Sequence, residues 1–122
     1  MSKQADWSEV WQELQQVLKN QPRCPKHPQY PCVKTLSEKV VNDIIEVSDQ
    51  GIKVRSHRTN TEDTLAASQF ETWWHYLVSN KSASLKPESA PHADRSRLVG
   101  AILVTCLPNR IRTSDNSTIT LS

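Results

Sequence analysis

The feature that most constrains this chain is a change of period near its end. Arg97 to Leu107 places Leu98, Val99, Ile102, Leu103 and Cys106 on one helical stripe. Pro108 stops that helix, because a proline has no N–H for the intrahelical ladder. Beyond it the pattern alternates. Asn109–Thr113 and Thr118–Ser122 flank Ser114-Asp115-Asn116-Ser117, a tight-turn composition. Ile111, Ile119 and Leu121 are expected to face inward, and Arg110, Arg112, Thr118 and Thr120 to face solvent. The prediction is an apolar helix covered by a hairpin that turns its guanidinium groups outward.

With 122 residues the chain has room for one domain with one core, preceded by a helical arm. Gly51 and Gly100 are its only glycines, which argues against a glycine-rich loop that cradles phosphate. Net charge is +2, but the cations are uneven. Residues 1–50 carry 6 Lys/Arg against 7 Asp/Glu, and residues 51–122 carry 9 against 6, so the C-terminal portion is the basic one. No apolar run approaches the ~20 residues of a membrane span, and the polar N-terminus does not read as a signal peptide. A cytoplasmic location is expected. Three cysteines, an odd number, read there as reduced thiols.

Four further segments have local signatures. Trp7, Val10, Trp11, Leu14, Val17 and Leu18 form an amphipathic helical stripe, with Asp6 and Glu9 spaced as a capping box and Asn20/Pro22 as the stop. Leu36, Val40, Val41, Ile44 and Ile45 fit a short helix, yet their Val/Ile content favours a strand. Ser48-Asp49-Gln50-Gly51 is turn-like with glycine placed for positive φ, so a hairpin is predicted over Asp43–Ser56, with Leu36–Val41 open to a helix. Asn60–Ala67 reads as a loop with a short strand near Thr64-Leu65, or as an extension of the next helix. That helix starts at the Ser68/Glu71 capping box, carries Phe70, Trp73, Trp74, Leu77 and Val78, and ends near Asn80. Of the adjacent Trp73 and Trp74, one is expected in the core and the other partly exposed or under the N-terminal helix. Lys81–His92, rich in Ser, Ala and Pro, reads as a loop anchored by Leu85, with Asp94 as N-cap of the last helix.

Gln21–Lys34 holds Pro22, Pro25, Pro28 and Pro31 and reads as an extended connector. It also contains Cys24-Pro25-Lys26-His27 and then Cys32. Thiolate and imidazole at such spacing can bind zinc, but a structural site needs four ligands, and the next candidates, His57 and Cys106, are far along the chain. The connector reading is adopted, with no metal or other cofactor expected.

Gly51-Ile52-Lys53-Val54-Arg55-Ser56, the helix with Phe70, Trp74 and Leu77, and Arg95-x-x-Leu98 running into Leu107-Pro108 before a last hairpin resemble winged helix-turn-helix modules of restriction-modification and related DNA-processing proteins. The resemblance covers residues 35–122. It implies an α+β fold with three main helices, a small antiparallel sheet and a C-terminal hairpin. It also implies a DNA-contacting or protein-docking role, with the last helix as recognition-helix analogue and Ser114–Ser117 as wing tip. The expected organisation is therefore an N-terminal amphipathic helix (1–20), a connector (21–34) and a winged-helix-like domain (35–122).

Catalytic signatures are missing. There is no Walker loop, no H-E-x-x-H, no G-x-S-x-G and no dinucleotide fingerprint. Glu62-Asp63 is the only adjacent acidic pair, His27, His57 and His92 fall in loops, His75 falls in a helix, and Cys106 reads as a small core residue. The expected function is non-catalytic DNA binding. Arg95 and Arg97 would act at the helix start, Arg110 and Arg112 on the wing, and Lys81, Lys86, Arg55 and Arg58 would add phosphate contacts. The alternative is a protein-interaction adaptor or subunit presenting Trp7 and Trp11. Partners are then duplex DNA, another protein of a DNA-processing complex or a second copy of the chain, and no membrane.

Overall fold

The computed structural model describes residues 6–36, 39–92, 95–115 and 117–122. Helix α1 (Trp7–Lys19) comes first, then β1 (Cys32–Lys34), β2 (Val41–Ser48), β3 (Gly51–Ser56) and β4 (Glu62–Ala66). These strands form one antiparallel sheet in sequence order. Helix α2 (Ala67–Asn80) leads to β5 (Ser82–Ser84), α3 (Ser96–Cys106) leads to β6 (Ile111–Asp115) and β7 (Thr118–Leu121), and the last three strands form a second sheet in the order β5-β7-β6. The coarse class, α+β with three helices and small antiparallel sheets, is thus the observed one.

The helical stripe of α1 buries Val10, Trp11, Leu14 and Leu18. Trp11 stacks at 5.5 Å on Trp7 and lies 5.4 Å from Phe70, while its indole N–H donates to the Asp49 carbonyl at 3.2 Å. The helix is thereby fixed to the β2–β3 turn. Helix α3 packs against α1, β1 and β6, so no position along it is fully exposed, and eight of its residues, Ser96, Leu98–Leu103 and Cys106, are buried. Gly100 is required there: a Cβ would stand 2.2 Å from Leu85 Cδ2, so Leu85 seals the helix from the β5 side.

Several local expectations are corrected. Asp6 makes no side-chain cap bond, and α2 has Ala66, not Ser68, at its N-cap position. The reason in α2 is continuity with β4: the Ala67 N–H donates to the Gln50 carbonyl at 2.8 Å, so the sheet does part of a cap's work. Gly51 has no positive φ. It is glycine because a Cβ would lie 2.4 Å from the Leu65 carbonyl oxygen across the β3–β4 pair. Leu36–Val41 is not a helix among the described residues: Thr35 and Val40 close a loop through Thr35 N–H to the Val40 carbonyl at 3.0 Å, and Val41 already begins β2. Of the two alternatives for the second tryptophan, partial exposure is the one overturned: Trp73 and Trp74 are both buried, because α2 lies between β5/β7 and the α1/β3/β4 side. The Lys81–His92 stretch contains β5, which pairs with β7 and turns the terminal hairpin into a three-stranded sheet. The hairpin forms, with Ile111 and Ile119 buried and Arg112 exposed, but β6 runs on through Ser114 and Asp115, which were expected in the turn, and Leu121 is only half-buried. Asp94 and the Asn116 position of the wing tip lie outside the described residues.

Candidate functional site

The register of the first sheet builds one site. Cys32 of β1 stands opposite Asp43 of β2, and Asp43 stands opposite Arg55 of β3. Directly opposed residues of antiparallel strands share a face, so the thiol, carboxylate and guanidinium form a row. His57 follows β3 and is held by its own N–H donating to the Val41 carbonyl at 2.9 Å. The connector folds over this row as a compact loop. An Arg23–Pro31 bridge closes it, the Cys24 N–H donates to the Tyr30 carbonyl at 2.9 Å, and the His27 N–H donates to the Cys24 carbonyl at 3.1 Å.

The Asp43 side chain is 0 % exposed and is the centre of the cluster. His27 Nδ1 lies 2.8 Å from its Oδ2, His57 Nε2 lies 2.8 Å from its Oδ1, and Arg55 Nη2 lies 3.3 Å from Oδ2. Burial pushes the carboxyl pKa upward, but the hydrogen bonds and charge of His57 and then His27 outweigh it, and the net shift is downward. Arg55 also pairs with Glu62 at 3.8 Å and lies 5.6 Å above the Tyr30 ring. Cys24 Sγ sits 3.6 Å from His57 Nε2, and one ligand atom each from Cys24, Asp43 and His57 falls within 4.8 Å of the others. The half-buried Cys32 thiol lies beside Cys24. Burial first, then that neighbour, pushes its pKa up to about 11. Cys106, the other sequence candidate for a ligand, is instead buried on α3.

A second feature is a cleft of about 300 Å³ at the head of α3, lined by Arg58, Arg95 and Arg97 together with Asn42, Thr59 and Ser96. Arg95 has φ 55° and turns its guanidinium to Asp63 at 2.8 Å. Lys86 is exposed next to Pro87, which also lines the cleft. The structure therefore brings Arg58, Arg95 and Arg97 together, with Lys86 at their edge.

The other predicted contacts are elsewhere. Arg110 is bound to Glu13 of α1 at 3.0 Å, Arg55 belongs to the Asp43 cluster, Lys81 is the left-handed C-cap of α2, and Arg112 stands on the outer face of the second sheet opposite Thr120. Trp11 is only 6 % exposed and Trp7 is half-buried on it, so this pair is mostly committed to the chain's own core. Sequence reasoning missed Asp43. The signal was weak, because the run Val40–Val47 holds Asn42 and Glu46 as well as Asp43. Comparison of the chain with protein-family models, with curated proteins and with solved structures gives no match in any of the three.

Proposed function

We propose that this chain is a non-catalytic, winged-helix-type nucleic-acid-binding module that grips the phosphate backbone at the cleft heading α3. The observation that carries this reading is the convergence of Arg58, Arg95 and Arg97 on one cleft. The order α2, β5, α3, β6, β7, with β5 laid on β7, supports the winged-helix comparison. Because α3 is buried or half-buried along its whole length, it has no free face to lie in a major groove. Binding is therefore independent of base sequence, and phosphate contacts supply it. The adaptor alternative has less to stand on, since Trp11 is packed against Phe70.

Fluorescence anisotropy with a generic duplex at two salt concentrations tests the reading. Phosphate contacts make log K fall as log salt rises, and non-specific affinities of this kind fall at about 10⁻⁴–10⁻⁶ M. Replacing Arg58 and Arg97 by Ala should weaken binding and flatten that fall. Salt-independent binding, or an unaltered double variant, refutes it.

A further inference from the structure

We infer that Cys24, Cys32, His57 and Asp43 form a tetrahedral zinc site that fastens the connector to the four-stranded sheet. Two thiols, an imidazole and a carboxylate are a donor set that suits zinc. The Cys24 Sγ to His57 Nε2 separation is 3.6 Å. Sulfur and nitrogen on one tetrahedral zinc, at about 2.3 and 2.05 Å from the metal, stand about 3.6 Å apart.

The protons make the same point. His57 Nε2 faces both Cys24 Sγ and Asp43 Oδ1. A neutral ring nitrogen offers one hydrogen or one lone pair, so it serves one of these neighbours well and not both. A divalent cation removes the conflict: sulfur, nitrogen and oxygen then all present lone pairs to it, with Nε2 and Oδ1 opening from their 2.8 Å hydrogen bond to about 3.3 Å, the edge of a tetrahedral zinc. Cys32, beside Cys24 and opposite Asp43 across the β1–β2 pair, lies outside the group of three whose ligand atoms fall within 4.8 Å of one another, and supplies the fourth ligand by turning its thiol toward them. His27 and Arg55 hold the outer oxygen of Asp43, as second partners do around a ligating carboxylate. Two thiolates and a carboxylate around a dication leave one negative charge, which the Arg55 guanidinium faces.

The fold gives such a staple a purpose. Between Gln21 and Pro31 only Cys24 and Pro31 are buried, so little apolar contact offsets the entropy of ordering that loop. A metal bond joining Cys24 to His57 across this separation supplies what packing does not.

The test is zinc content of the full chain purified under reducing conditions, with cobalt uptake as a second readout. About one zinc per chain is expected, exchangeable for cobalt with a thiolate-to-cobalt charge-transfer band. Cys24→Ser and Cys32→Ser should each lose the metal, while Cys106→Ser keeps it. His27→Ala should keep it with affinity lowered about 10- to 100-fold, as for an outer partner. Wild-type protein that holds no zinc and takes up no cobalt overturns the site, as does a Cys24–Cys32 disulfide in the reduced preparation. Zinc lost in His27→Ala but kept in Asp43→Asn overturns the assignment of Asp43 as ligand. The cobalt spectrum is read on wild-type chain, so it stands even if a cysteine variant fails to fold.

Discussion

Replacing Gly100 by Ala should destabilise the wild-type chain and stabilise a Leu85→Ala chain. In a free helix the change would be favourable by about 1 kcal/mol, since glycine is a poor helix former. Here the added Cβ would stand 2.2 Å from Leu85 Cδ2 and 3.1 Å from Cδ1, and Leu85 is 1 % exposed with little room to withdraw. Overpacking of this kind costs about 1–3 kcal/mol, so the net effect is a loss of up to about 2 kcal/mol. Leu85→Ala alone should cost about 2–5 kcal/mol through lost transfer energy and the cavity it leaves. In that background the clash is gone, and the new methyl fills roughly 25 Å³ of cavity worth about 0.6 kcal/mol at ~24 cal/mol per Å³. Gly100→Ala should then stabilise by about 1–1.5 kcal/mol, giving a coupling energy of about 1–3.5 kcal/mol across the cycle. Urea unfolding of the four proteins, with m values held equal, measures it. Additivity within about 0.5 kcal/mol would show that Leu85 does not rest on Gly100, and that the contact sealing α3 from the β5 side is misplaced.

Two other outcomes follow from single contacts. Gly51→Ala should cost about 2–3 kcal/mol in urea unfolding, because the 2.4 Å neighbour of its Cβ is the Leu65 backbone oxygen and cannot swing aside; a loss below 0.5 kcal/mol would refute the close approach of β3 and β4. Burial pushes the Cys106 thiol up to about 12. At pH 8 the thiolate fraction is then on the order of 10⁻⁴, so native protein should resist alkylation there and react only when unfolded; rapid native labelling at Cys106 would contradict its place in the core.

What could be read from the sequence was what a local period dictates. The α1 stripe, the β2–β3 alternation around Asp49-Gln50 and the terminal hairpin each declare themselves within a dozen residues. Strands β1 and β5 do not, since each is three residues long and sits in a Pro- or Ser-rich stretch. They are strands because β2 and β7 offer free edges, which is tertiary information. The bulge at Ile45 also hides the pleat: Ile44 pairs with Val54 and Glu46 with Lys53, leaving Ile45 unpaired. Trp73 and Trp74 show the same limit, because adjacency in a helix rules out two buried side chains only when one side of the helix faces water. In the site, Cys24, His27 and Cys32 were legible as a spacing, and His57 was named as a remote candidate. The carboxylate they surround became visible only when the β1–β2–β3 register set Cys32, Asp43 and Arg55 in one row.

The most direct measurement of the functional account is an NMR titration of ¹⁵N-labelled protein with short duplex DNA at low salt. Amide shifts should gather at Arg58, Thr59 and Arg95–Arg97 and fade as salt is raised. Shifts centred instead on Trp7 and Trp11 or on the outer face of β6, or no shifts at low salt, would contradict it.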